Sequence, residues 1–289
     1  MPVNIDNEEE TLLSFIQIYN HIKSVTKNNI ILDFKKTKFV CGEIIVIIGV
    51  LYEIARTTDN TITMINISDK IKEILLSHDI FGNNTSMFSK NTAIHFKNFE
   101  NDLLNNETDC FDTYAKDELL KNLSLGIDAT DYIIKYLSEA FINARTHGKT
   151  NLICCCGQKY PNIQHVRFSI FDCGATIPCV VAPYINNRFH DNDAEYISWA
   201  VKMGNSTKPN SFGGLGLHDI EEFIKAYSGS LTIISRNGYY RNIKGTIRKR
   251  NMPSALFGTM IIIDIGYNTE LLQLINKFKT NSKAVALEL

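Results

Sequence analysis

The stretch Asp131–Gly148, DYIIKYLSEAFINARTHG, decides how the rest of this chain is read. Ile133, Ile134, Leu137, Ala140, Phe141 and Ala144 recur at helical spacing and make one apolar face. Glu139, Asn143 and His147 follow one another at every fourth position, so they stack along a second stripe of the same helix. A carboxylate, a carboxamide and an imidazole arranged this way form either the solvated edge of a core helix or the wall of a site. The helix alone favours the first reading. Two glycine-bearing segments downstream favour the second.

The first is Asp172-Cys173-Gly174, at the end of the apolar strand expected over Val166–Asp172. A carboxylate at a strand end, beside a glycine that allows close approach, suits an exocyclic amine such as that of adenine. The second is Gly213-Gly214-Leu215-Gly216-Leu217, running straight into a helix expected over Leu217–Ser228. A glycine-rich turn before a helix lets backbone N–H groups approach an anion, and the helix N-terminus adds a favourable dipole. A carboxamide oxygen such as that of Asn143 is a hard ligand suited to Mg²⁺ that also bridges phosphates. Glu139 beside it is placed to orient or deprotonate a water or hydroxyl. Each feature is weak singly; their order and spacing carry the reading. The chain has no GxxxxGK[ST], so it is not a P-loop protein, and its glycines do not follow a first strand in the dinucleotide-binding manner.

Bulk properties narrow the field. The 289 residues predict one large or two modest domains. Apolar and charged residues make up 44% and 21%, which are ordinary globular values. With 30 basic and 31 acidic residues the net charge is −1, so neither nucleic acid nor an anionic membrane is expected as a partner. The basic run Arg241–Arg250 reads as a solvated hairpin or loop. The polar N-terminus MPVNIDNEEE is unlike a signal peptide, and the longest apolar run, Ile44–Tyr52, is too short for a bilayer. A cytoplasmic protein is expected. The seven cysteines show no framework spacing. Cys154, Cys155 and Cys156 alternate faces in an extended segment, so they cannot close around one metal and read as small buried strand residues.

Before the central helix, a leading helix is expected over Glu8–Lys27. Strand Ile30–Phe34, helix Gly42–Arg56, strand Thr61–Ile67 and helix Asp69–His78 follow, with Ser68 as a cap. That alternation predicts an α/β pattern with a partly parallel sheet. Phe81–Asn98 reads as the rest of the small sheet or a linker, and Asp117–Leu123 as helical. After the central helix come a hairpin of Asn151–Cys156 and Val166–Asp172, a loop at Val180–Arg188 and a short helix over Asp191–Met203. Strands at Leu231–Ser235 and Gly258–Ile265 and a closing helix over Glu270–Lys277 complete the expectation.

Residues from about 125 to 267 resemble the GHKL ATPase domain shared by Hsp90, gyrase B, MutL and the histidine kinases. EAFINARTHG resembles its N box, DCGATIP its first glycine box, STKPNSFGGLGLHDIEEFIKAYSGSLTIIS its second glycine box with the following helix and strand, and Gly258-Thr259 its closing motif. The wording Ser206-Thr207-Lys208 and the ending His147-Gly148 are nearest the anti-sigma serine kinase branch. The N-terminal segment, with LDF, Asn66-Ile67-Ser68 and IKEILLSHDIF, resembles a STAS-like domain, although the phosphorylatable serine of that family has no counterpart at Cys41-Gly42-Glu43.

The resemblance implies an α/β (α+β) fold, with a STAS-like domain over 1–110 and a two-layer GHKL sandwich over 111–289. It implies ATP and Mg²⁺ as cofactors. In its terms Asn143 coordinates Mg²⁺, Glu139 is the general base, Asp172 binds the adenine amine and Gly174 packs beside the base. Thr259 supports the adenine. Gly214, Leu215, Gly216 and Leu217 offer backbone donors to the phosphates, and Lys208 and His147 are candidate phosphate contacts. Residues 180–212 form the lid. ATP hydrolysis or serine/threonine phosphorylation in signalling is implied, as is a nucleotide-gated binding module without turnover. A protein partner or phosphoacceptor is expected, and a homodimer is allowed. One departure stands out: Thr176 occupies the second glycine of the usual Asp-x-Gly-x-Gly.

Overall fold

The computed structural model of the chain describes residues 1–82, 92–100, 107–120, 127–150, 152–207, 216–226 and 229–267. The closing helix expected over Glu270–Lys277 lies outside the described residues, as do Lys208, Gly214 and Leu215.

The N-terminal part runs β1 (Asn4–Ile5), α1 (Glu9–Ser24), β2 (Asn29–Asp33), β3 (Phe39–Val40), α2 (Ile45–Thr57), β4 (Thr61–Ile65) and α3 (Asp69–Ser77). Then come β5 (Ala93–Asn98), α4 (Glu107–Tyr114), α5 (Ile127–Gly148), β6 (Ile153–Tyr160), β7 (His165–Asp172), α6 (Ile177–Tyr184), α7 (Asp193–Ala200), α8 (Leu217–Ala226), β8 (Ser230–Ile243) and β9 (Thr246–Gly266). The mixed class expected from the sequence is present. β2 and β4 pair in parallel across α2, as a strand–helix–strand unit requires, and β1 pairs in parallel with β3. The other five strands form an antiparallel sheet in the order β5-β6-β7-β9-β8.

Strand alternation sorts this sheet into two faces. Ile153 and Cys155 of β6, Val166, Phe168 and Ile170 of β7, Ile261, Ile263 and Ile265 of β9, and Leu231 and Ile233 of β8 share one buried cluster with Phe141, Leu137 and Phe223 from α5 and α8. The intervening residues Cys154, Cys156, Phe171, Ile234, Met260 and Ile262 join a second cluster with Leu12, Phe15, Tyr19, Ile47, Ile48 and Leu51 from α1 and α2. The three consecutive cysteines are therefore split between two cores, and the Cys156 thiol also donates to the Ile94 carbonyl at 3.4 Å. α2 is buried nearly all round because it is packed between the back of this sheet and the N-terminal strands.

Several elements differ from expectation. Residues 93–98 pair with β6 as the edge strand of the large sheet, so the expected division at 110/111 falls inside α4, after a strand that belongs to the sheet. Helical geometry spans Glu107–Leu120, its last six residues as a π-helix whose Leu119 and Leu120 are buried. Ser68 stands at the cap of α3 but makes no side-chain capping bond. Residues 177–184 are α6 rather than loop. The signal was in the sequence: Thr176 accepts from the Cys179 N–H, and Pro178 sits in the first turn, where a missing N–H costs nothing. The last two strands extend well beyond expectation, and Lys244-Gly245 turns a long hairpin that contains the basic run. Among the described residues, no helix is long and apolar enough to cross a membrane.

Candidate functional site

A cavity of about 250 Å³ opens between α5, the end of the large sheet, and the α6–α7 segment. Strand parity puts Asp172 and Thr259 on the α5 side of the sheet, where the apolar rows of β7 and β9 run out. The two are direct cross-strand partners, and Ser235 of β8 pairs with Thr259 on its other side. Three polar residues on adjacent strands thus end an otherwise aliphatic surface. The Ser235 hydroxyl lies 2.9 Å from the Thr259 hydroxyl and accepts the Ile177 N–H at 2.8 Å, which ties the start of α6 to this floor.

Asp172 is 3% exposed. Its Oδ1 accepts the Gly174 N–H at 3.0 Å. Burial pushes the carboxyl up to about 8, against the downward pull of that one N–H. Near neutral pH Asp172 is therefore poised between a carboxylic acid that donates and a carboxylate that accepts. Gly174 itself packs against the end of α5: a Cβ there would stand 2.1 Å from the Gly148 carbonyl, which accepts the Ala175 N–H at 2.7 Å. Gly174 braces Asp172 and is not among the residues lining the cavity.

The α5 wall carries Glu139, Asn143 and His147, all facing this cavity together with Ala144 and Gly148. Their spacing of four residues does what the sequence pattern required, and the helix's other stripe is buried on the sheet. Gly216 and Leu217, at the start of α8, also line the cavity. Of the residues singled out from sequence, Glu139, Asn143, His147, Asp172, Thr259, Gly216 and Leu217 are brought together, although 120 positions separate the first from the last. Gly174 stands behind them.

Several other lining residues fall within the expected lid, 180–212, although Trp199, Ala200 and Asn205 were not singled out there. Trp199 and Ala200 of α7 and the following Asn205, Ser206 and Thr207 close the cavity opposite α5. Asn205 holds that turn by donating to the Trp199 carbonyl at 2.8 Å, and the Trp199 indole packs 5.9 Å from the Tyr184 ring. Ser235 was missed too. Its polar side chain in the apolar run LTIIS was a visible anomaly, but only the pairing with β9 puts it beside Thr259.

The arrangement offers an apolar slot of Ile177, Val181 and Ile261 with one buried carboxyl at its end and a polar wall along α5. That suits a flat apolar ring bearing an amine donor. Among the described residues, no group of three or more His, Cys, Asp or Glu side chains could hold a metal ion. A cation here would need oxygen ligands brought by its own ligand partner, with Asn143 as a protein contact. No protein-family model matches this chain, and no curated protein is significantly similar to it.

Proposed function

We propose that the chain binds Mg-ATP as a GHKL-type module and acts in cytoplasmic signalling or regulation, by hydrolysing ATP or by phosphorylating a protein serine or threonine. The observation that carries this reading is the convergence of Glu139, Asn143 and Asp172 with the start of α8 on one cavity. The residues present fit the nucleotide: the buried Asp172 carboxyl offers an amine partner at the end of an apolar slot, and the Gly216–Leu217 helix start offers backbone donors. Bound ATP supplies the transferable phosphoryl group, with Mg²⁺ neutralising its charge. Asp172 would hold the base, Asn143 would contribute a ligand to the cation, and Glu139 would take the proton from the attacking hydroxyl or water. Thr259 and Ser235 fix the floor. The partners assigned are ATP and a protein phosphoacceptor or effector, with a homodimer as the compatible assembly.

A second reading, in which ATP only gates a protein-binding surface, is favoured by Thr176. It caps α6 where the family motif has glycine, so the lid begins as a fixed helix rather than a free turn. Incubating wild type and Glu139→Ala with radiolabelled ATP and Mg²⁺ tests the two. The enzymatic reading expects released phosphate or labelled protein from wild type and loss of either in the variant, with ATP still bound by both. Binding by both without product from either leaves the gating reading.

A further inference from the structure

The cavity floor has a back. Asp172 and Thr259 face α5, while their neighbours Phe171, Cys173 and Met260 face α1. Leu12, Phe15, Ile16 and Tyr19 of α1 pack on this back, and Tyr19 also makes a polar contact there. Tyr19, 2% exposed, donates its hydroxyl to the Phe257 carbonyl at 2.8 Å. Its ring packs 5.9 Å from the Phe171 ring, and Cys173 is a close neighbour of its hydroxyl. Tyr19 therefore touches the residue before Asp172, the residue after it, and the residue two before Thr259.

The ladder explains why this contact is needed. Ser235 pairs with Thr259 and Arg236 with Leu256, so the register shifts and Phe257-Gly258 bulges out of the β8–β9 pairing. A partly shielded main-chain carbonyl left out of a ladder gains a partner only from outside that ladder. Tyr19 supplies it from the α1 side, and the Asn20 side chain donates to the Ala255 carbonyl at 2.8 Å, in the next register shift of the same strand. From the cavity side, Ser235 bonds Thr259 and reaches the Gly258 carbonyl at 3.5 Å. The bulge is clamped between α1 and the floor, and Gly258 in it abuts the Asp172 carbonyl.

We propose that Tyr19 is a positioning residue for the cavity, through which α1 sets the placement of Asp172 against Thr259. The N-terminal layer then acts on the site by way of the β9 bulge, whatever ligand the cavity takes. A shift of α1 that breaks the Tyr19 bond frees Phe257-Gly258 and, with it, the end of β7.

The test uses the full chain and needs no ligand. The Gly174 amide reports the floor directly, because it donates to Asp172. Amide exchange at Gly174 is measured in wild type, in Tyr19→Phe and in Tyr160→Phe, which removes a hydroxyl bond to Glu43 at the far end of β6. Exchange about tenfold faster in Tyr19→Phe but unchanged in Tyr160→Phe is expected. An unchanged Gly174 rate in Tyr19→Phe, or equal acceleration in both variants, overturns the proposal. Should Tyr19→Phe fail to fold, Cys173→Ala removes the other contact and is read the same way. Mg-ATP titration of the same samples separates the two proposals: wild type that binds no ATP defeats the nucleotide reading while the exchange result stands.

Discussion

Gly258 leaves room for the main-chain carbonyl of Asp172. A Cβ at position 258 would lie 2.1 Å from that oxygen, and Gly258 has φ +148°, which side chains rarely adopt. The bulge in β9 and the end of β7 are therefore fitted to each other with nothing between them. Gly258→Ala is expected to lower stability by about 2 kcal/mol or more, since strained backbone and a main-chain clash add. Gly82→Ala, at φ +63° with open space around it, is expected to cost about 1 kcal/mol. Urea unfolding of the two variants checks the ranking; equal losses would contradict it.

Asp172 gives stability a pH dependence whose sign is fixed. Its carboxyl rises from the ordinary 3.8 to about 8 in the folded chain, so the native state binds the proton more tightly than the unfolded state does. The stability this provides is complete below pH 4 and is lost as pH rises to about 8. Asp172→Asn keeps an acceptor for the Gly174 N–H and removes the titration. Compared with wild type, the variant is expected to gain stability from pH 5 to about pH 8, by a few kcal/mol in all, and no more above it. Parallel stability–pH curves for the two proteins would contradict this.

Glu43, Arg167 and Asp264 form a charged cluster on the α1–α2 side of the sheet. The Glu43 carboxylate is fully buried; Oε1 lies 3.3 Å from Arg167 Nη1 and Oε2 accepts the Tyr160 hydroxyl at 2.6 Å. Arg167 Nε reaches Asp264 at 3.1 Å. Arg167→Met strands the buried carboxylate and is expected to cost about 3–5 kcal/mol. Glu43→Leu combined with Arg167→Met is expected to recover part of that loss. A double-mutant cycle with no coupling between the two sites would contradict it.

Much of this molecule was legible in its sequence because local pattern set it. Ile133, Leu137, Phe141 and Ala144 announce the buried face of α5, and Glu139, Asn143 and His147 the wall, since one helix fixes both. The alternation that splits Cys154, Cys155 and Cys156 between two cores needs only a strand. What stayed hidden depends on pairing across the chain. Ala93–Asn98 reads as ordinary polar sequence until β6 lies beside it. Ser235 is a lone polar residue until β9 puts Thr259 next to it. Tyr19 is one more core aromatic of α1 until the β9 bulge supplies a carbonyl for its hydroxyl. The α6 helix was the exception: its cap, Thr176, and its first-turn proline were in view, yet residues 180–188 were read as a loop.

The central claim is that α5, β7, β9 and α8 form one nucleotide site, and calorimetric titration with Mg-ATP tests it most directly. At pH 8, wild type is expected to bind at a single saturable site. Asp172→Asn is expected to bind at least about tenfold more weakly, as loss of a buried amine partner costs more than 1.4 kcal/mol. Glu139→Ala is expected to keep its affinity. No heat of binding at millimolar Mg-ATP, or an affinity indifferent to Asp172→Asn, would contradict the account.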